Sequence, residues 1–193
     1  SRAGRETGMG LRITGGEWGG RPLQAPPGVR PAQDRVRLAV FSTLAGRVSG
    51  ARVLDLFAGT GAYGLEALSR GAASAIWVEN GRQVLPVLRR NVASLTGSEA
   101  GVEAVDVGRF LKRAGAARSF DLVFADPPYA EAAGWFRIIL SAVAGRSILA
   151  PGAWLILEHA AREPLAPAAG WSCLKRRVYG ETQIDYLAPA GAG

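Results

Sequence analysis

Between Ala51 and Ala130 short apolar runs and helix-like stretches take turns along the chain, and this alternation leaves few folds open. The runs are "ARVLDLF", "SAIWVEN", "GVEAVD" and "FDLVFAD", separated by helical patterns near Ala62–Arg70, Arg82–Leu95 and Arg109–Ala114. Strands that alternate with helices run parallel, because each crossover helix packs back onto the sheet it left. "EAAGWFRIILSAVAG" then supplies a further helix and "AWLILEH" a fifth strand. "CLKRRVYGE" and "TQIDYLAP", joined at Gly180, read as a terminal hairpin. The pattern predicts an α/β fold with about seven strands, mostly parallel and antiparallel at the C-terminal end.

Ahead of this unit, "LRITGGEWGGRPLQA" predicts a small β-hairpin, with Leu11–Thr14 and Arg21–Leu23 as its arms. "PPGVRP" is an irregular link, and from Asp34 the spacing of Val36, Val40 and Leu44 predicts an amphipathic helix that ends at Gly46. The expected organisation is a disordered lead over 1–10, hairpin and linker over 11–31, one catalytic domain over 32–189 and a tail over 190–193. At 193 residues and 48% hydrophobic, the chain has enough apolar material for one such core. It contains no apolar run of spanning length, and the first ten residues lack a signal-peptide core, so a cytoplasmic protein is expected. Cys173 is the sole cysteine, and neither an internal disulfide nor a bound metal is expected.

The formal charge is +7, and residues 1–50 hold eight arginines against three acids, which places +5 of it at the N-terminus. Guanidinium forks grip phosphate with two hydrogen bonds and stack on bases, so a nucleic-acid partner is favoured over a merely basic surface.

In parallel sheets of this kind ligands bind at the carboxyl ends of the strands, where strand order reverses. The first strand runs into "DLFAGTGAYG", in which Gly59, Gly61 and Gly64 formally satisfy the G-x-G-x-x-G spacing. Glycines there let backbone N–H groups approach a ligand. The second strand ends in "WVEN", placing Glu79 where a carboxylate accepts both hydroxyls of a ribose. Asp106, after the third strand, is positioned to accept from an adenine amino group. Loop and acids together imply an adenosine cofactor, either a nicotinamide dinucleotide or S-adenosylmethionine.

After the fourth strand comes Asp126-Pro127-Pro128-Tyr129. An amino group on an aromatic ring is a poor nucleophile, because its lone pair is delocalised. Asp126 and the Pro127 carbonyl can accept its protons and favour pyramidal geometry, the prolines stiffen the turn, and Tyr129 offers a face on which a base stacks.

With these motifs the chain resembles the class I S-adenosylmethionine-dependent methyltransferases, and among them the bacterial family that methylates N2 of a guanine in 16S ribosomal RNA. The general motifs are "DLFAGTGAYGLEALSRG", "VEN" and "ADPPY"; the family-specific ones are "RITGGEWGGRPL" and "RPAQDRVRLAVF", and the similarity runs from about Leu11 to Leu187. The resemblance implies a Rossmann-like seven-stranded sheet with helices on both faces and an N-terminal hairpin that helps to contact RNA. It implies cofactor contacts at Asp55, Phe57, Gly59, Gly61, Glu79 and Asp106, and catalysis at Asp126, Pro127, Pro128 and Tyr129. Arg12, Trp18, Arg21, Arg30, Arg35 and Arg37 are the expected RNA contacts, and the expected substrate is 16S rRNA within an assembling small subunit, bound by a monomer. The chain departs from the family pattern at Ala32 and Gln33, usually threonines, at Leu38, usually glutamate, and at Tyr63, usually small or leucine. Direct in-line transfer leaves Cys173 without a part in the reaction, and His159 is expected to be structural. An N6-adenine DNA methyltransferase, a nicotinamide-dependent dehydrogenase and a non-catalytic RNA-binding factor are the alternatives.

Overall fold

The computed structural model describes residues 10–27, 32–115, 118–145, 148–163, 165–166 and 168–191. A seven-stranded sheet forms its centre, in the order β3-β2-β1-β4-β5-β7-β6. The strands are β1 (Arg52–Leu56), β2 (Ser74–Glu79), β3 (Val102–Ala104), β4 (Phe120–Ala125), β5 (Leu149–Ala160), β6 (Trp171–Tyr179) and β7 (Thr182–Pro189). The first five are parallel, whereas β7 runs antiparallel between β5 and β6. Strand order reverses between β1 and β4, which creates the crevice that parallel sheets use for ligands.

The helices α1 (Ala32–Thr43), α2 (Ala62–Ser69), α3 (Leu85–Thr96), α4 (Val107–Arg113) and α5 (Ala132–Gly145) divide between the two faces. On one face Val40 and Phe41 of α1, with Leu44 just after it, pack on Val53, Leu122, Phe124 and Ile156. On the other, Phe110 and Leu111 of α4 and Phe136 and Ile139 of α5 cover Leu54, Val123 and Leu155. Alternation along each strand sends neighbouring residues to these opposite cores. Local signals set the helix ends: Asp106 caps α4 by accepting from Arg109 N at 3.1 Å, and Gly97, at φ 78°, closes α3 in a left-handed turn. The edge strand β6 exposes Lys175, Arg176 and Arg177, charges that oppose pairing with another sheet.

The N-terminal hairpin is reduced to one antiparallel bridge, Arg12 to Pro22, flanked by Ile13 N donating to Arg21 O and Leu23 N to Leu11 O. Its turn is rich in glycine and its arms are short, so side-chain docking rather than a ladder fixes it: Leu11, Ile13 and Leu23 pack with Leu65, Trp77, Leu88 and Val92. Residues 1–9 and Arg30 fall outside the described residues. Among the described residues no helix is long and apolar enough to cross a membrane.

Trp77, buried beneath α2, donates from Nε1 to Gly61 O at 3.1 Å and leaves no room above itself. A Cβ at Gly64 would lie 2.3 Å from that nitrogen. Gly64→Ala therefore sets a gain in helix propensity of about 1 kcal/mol against overpacking that costs about 1–3 kcal/mol. The expected outcome is a net loss of stability, read as a lower urea midpoint at unchanged m-value.

Candidate active site

The carboxyl ends of β1, β2, β3 and β4 converge on a cleft of about 660 Å³ whose walls include Phe57, Glu79, Asp106, Asp126, Tyr129 and Trp135. Such a volume suits a nucleoside-sized ligand. Gly59, at φ 56°, and Gly61, at φ 83°, both adopt left-handed backbone that turns the chain from β1 into α2. Phe57 also has a positive φ, 57°, a conformation that costs a non-glycine residue about 1–3 kcal/mol. Its ring meets Trp135 edge-on with centroids 5.0 Å apart, and that packing helps to hold it.

Two carboxylates set the shape of this loop. Glu79 accepts from Gly59 N through Oε2 at 2.9 Å, and from Asn80 N and Gly81 N through Oε1 at 2.9 and 2.8 Å. Each oxygen carries two lone pairs, so Oε1 is fully used and Oε2 retains one, with which Glu79 can accept a ribose hydroxyl. Asp55 is buried and accepts from Gly64 N at 3.0 Å. Burial pushes its carboxyl up to about 8; the Gly64 bond opposes this and the Glu79 charge adds to it. Asp106 combines its capping role with a place in the cleft wall. The donor set, a Glu79 with one open lone pair, a backbone loop and an acid at the third strand end, fits an adenosine-bearing cofactor.

Asp126 is one residue past the end of β4, and burial pushes its carboxyl well above the ordinary range, with the Glu158 and Asp55 charges adding to the effect. The two prolines follow, Pro128 at φ −51° and ψ 130°, and lead into a single 3-10 turn over Tyr129–Glu131. The Tyr129 hydroxyl pairs with Thr182 Oγ1 at 3.1 Å, which ties the motif to the start of β7. The structure thus brings all of the cofactor and catalytic candidates to one end of the sheet.

The RNA-contact candidates divide. Arg12, Arg21 and Arg35 are exposed, and Arg12 also donates to Gly20 O at 3.0 Å. Trp18 is half-buried; its ring packs against the hairpin's apolar cluster, and its backbone N–H donates to Ser69 Oγ at 2.9 Å. Arg37 is a correction: at 2% exposure it is a strut of the fold, donating to Glu66 Oε1 at 2.9 Å, to Asp34 Oδ1 at 2.9 Å and to the Arg12 carbonyl. Its guanidinium is committed within the protein and is not presented to a phosphate.

Two residues beside the site carry no assignment to it from the sequence. Glu158 accepts a hydrogen bond from the Tyr63 hydroxyl at 2.9 Å, and both line a second crevice that contains Asp126. An acid that follows the apolar run "LIL" near the end of a strand is the same signal that marks Glu79 at the end of β2, and it could have identified Glu158. His159 is structural as expected, with Nε2 3.0 Å from Asp185 Oδ2 and Nδ1 3.1 Å from Ala160 O. Cys173 is exposed, away from the cleft.

A doubly flanked sheet of this order, with a glycine loop after the first strand and an Asp-Pro-Pro-Tyr turn after the fourth, defines the Rossmann-like methyltransferases whose methyl donor is S-adenosylmethionine. Comparison with known proteins narrows the class. Residues 11–188 match the family model described as Conserved hypothetical protein 95. Ribosomal RNA small subunit methyltransferase D of Escherichia coli (strain K12) is 38% identical over 175 residues, covering 89% of this chain and 86% of its own. The protein of the same name from Haemophilus influenzae is 33% identical over 178 residues, with 88% and 89% covered. The solved Escherichia coli protein yhhF superposes with a TM-score of 0.82 at 36% identity, covering 93% of this chain and 97% of its own. The chain belongs to this family, the one that contains the ribosomal RNA small subunit methyltransferase D proteins.

A carboxyl held at about 8 when folded and near 3.8 when free binds more protons in the native state across that interval. Its contribution to stability is therefore present at low pH and is lost as pH rises toward 8. Urea unfolding of the ligand-free protein at pH 5, 6, 7 and 8 is expected to show stability falling with pH, and Asp55→Asn to reduce that slope.

Proposed function

We propose that the protein transfers a methyl group from S-adenosylmethionine to the exocyclic N2 of a guanine in 16S rRNA, within the cytoplasm. The observation that carries this reading is Asp126-Pro127-Pro128-Tyr129 at the mouth of the cleft that Glu79, Gly59 and Asp106 shape. When bound, S-adenosylmethionine would supply an activated methyl on a sulfonium. Asp126 and the Pro127 carbonyl accept hydrogen bonds from the amino group of the base and draw the nitrogen lone pair out of conjugation. Tyr129 stacks on the ring and fixes the approach. The new N–C bond forms as the S–C bond breaks; the nitrogen then releases one proton, which Asp126 accepts and passes to water. Positioning of this kind is worth about 7–11 kcal/mol of barrier, so a strong base is unnecessary.

The name carried by the two bacterial relatives supports small-subunit rRNA as the substrate class. The exposed Arg12, Arg21 and Arg35 provide phosphate contacts on the side of the hairpin and α1. A guanine N2 inside a paired stem cannot reach a pocket at a strand end, so the base is taken unpaired from a loop or from a partly assembled particle.

Unmodified small-subunit particles incubated with labelled S-adenosylmethionine are expected to yield N2-methylguanosine on nucleoside analysis; N6-methyladenosine, or no product, would refute the reading. Asp126→Ala is expected to lose at least 100-fold in turnover while cofactor affinity, measured by calorimetry, stays within a few-fold. In a separate salt series, Arg21→Ala combined with Arg35→Ala should weaken RNA binding and lower the slope of log K against log salt by about one for each phosphate no longer neutralised.

A further inference from the structure

Asp126 stands between two spaces. Beyond it from the nucleoside cleft lies a narrower crevice of about 200 Å³, whose walls include Gln33, Val36, Asp55, Tyr63, Asp126 and Glu158. The two spaces share Phe57, Gly59 and Asp126. A base whose amino group is held at Asp126 therefore has its remaining edge directed either into the cofactor cleft or into this crevice, and only the crevice is free once a cofactor fills the cleft.

Sheet register puts Glu158 beside Asp126. Ala125 of β4 pairs with Leu157 of β5 in parallel, so the next residue on each strand is a carboxylic acid. Parallel neighbours lie about 4.8 Å apart. Leu122 and Phe124, like Trp154 and Ile156, belong to the core under α1, and by alternation Asp126 and Glu158 face that same side. Glu158 is also braced. Tyr63 donates to its Oε2, and the Tyr63 ring is stacked on Phe124, with centroids 5.0 Å apart and planes 22° apart. Among the described residues the second oxygen, Oε1, accepts no hydrogen bond. Burial raises the Glu158 carboxyl above its ordinary range, and the Tyr63 bond and the charge of Arg37, which lines the same crevice with its guanidinium spent on Glu66 and Asp34, oppose that rise.

We infer that Glu158 is the residue that selects guanine, its free oxygen accepting the N1–H of the target base while Asp126 holds the adjacent amino group. This rests on the guanine-N2 reading above and adds the element that discriminates. Along its pairing edge guanine presents N1–H and the amino group as contiguous donors, which match two carboxylates side by side. Adenine presents an unprotonated N1 next to its amino group, and a carboxylate facing that lone pair is repulsive and unpaired. The crevice therefore rejects adenine although Asp126-Pro127-Pro128-Tyr129 alone would accept it. Tyr63 is a positioning residue in this arrangement: it fixes the Glu158 rotamer and occupies one of its oxygens.

The test uses full-length protein and reassembled small-subunit particles. The guanine methylated by the wild type is mapped first; its replacement by 2,6-diaminopurine then keeps the N2 amino group and turns N1 into an acceptor. Wild-type enzyme is expected to methylate the diaminopurine particle roughly 10- to 100-fold more slowly than the guanine particle. Glu158→Gln retains size and the Tyr63 bond, and its amide can donate to N1; the expected result is a slower rate on guanine and a discrimination that shrinks to within about threefold. Tyr63→Phe should give an intermediate loss. Cofactor affinity of both variants, by calorimetry, is expected within about twofold of wild type. Undiminished discrimination by Glu158→Gln, with N2-methylguanosine still formed by the wild type, overturns the inference alone. A large loss of cofactor affinity overturns it too, because Glu158 would then serve the methionine end of the donor. Absence of N2-methylguanosine from the wild-type reaction removes the underlying reading and this inference together.

Discussion

Glu66 is the charge on which the assembly of this protein depends. Its side chain has no exposure, yet it accepts hydrogen bonds from Thr14 N and Oγ1, Gly15 N, Arg37 Nε and Arg70 Nε, all between 2.8 and 3.2 Å. A buried carboxylate is tolerated only when donors replace its water, and here they come from three separate pieces of chain: the N-terminal hairpin, α1 and α2. The bonds to Thr14 and Arg37 hold its carboxyl below the ordinary range although burial alone would raise it. Displacing the hairpin or α1 removes part of that donor set and leaves the buried carboxylate less well compensated, so the docking of the two is coupled. That coupling reaches the substrate side, because α1 brings Gln33, Val36 and Arg37 to the crevice that contains Asp126 and Glu158. The bonds to Glu66 add to the apolar docking of Leu11, Ile13 and Leu23 in fixing a hairpin that has a single bridge of its own.

The same economy governs the loop after β1. Glu79 joins the end of β2 to Gly59 and to the start of the next turn, and Asp55 joins β1 to α2 through Gly64. The loop is thereby set before a ligand arrives, and the strained Phe57 is held in place by its neighbours rather than by its own preference. An adenosine entering the cleft meets backbone groups already oriented, so less of its binding energy is consumed in ordering the site.

Much of this is legible in the sequence, and the parts that are not share a cause. Strand ends, the glycine loop and the Asp-Pro-Pro-Tyr turn are local patterns, and the residues they mark, Asp55, Gly59, Glu79, Asp106 and Asp126, all arrive at one end of the sheet. The role of Arg37 is hidden because its partner Glu66 lies 29 residues away on another helix, and nothing near Arg37 in the chain distinguishes a buried arginine from an exposed one. Tyr63 stands out only as an unusual residue in a glycine loop; its meaning depends on Glu158, 95 residues further on, and so on strand register. The third glycine of the loop is legible as a spacing but not as a necessity, which comes from Trp77 lying against it.

The distribution of charge then follows from what the two ligands carry. The formal charge is +7, with +5 of it in residues 1–50, yet the site concentrates the acidic residues Asp55, Asp126 and Glu158 on one side of the sheet. These signs do not conflict, because phosphates and bases present opposite chemistry. Phosphates need cations on the outer surface, where Arg12, Arg21 and Arg35 are exposed. The amino and imino edge of a purine needs acceptors, which the carboxyl oxygens of Asp55, Asp126 and Glu158 provide. An interior lined with arginine would hold the backbone over the reaction centre and leave the base outside. On the proposed guanine-N2 reading, acidic groups behind a basic surface draw the base inward and keep the phosphates out, which is the separation that chemistry on an exocyclic amine requires.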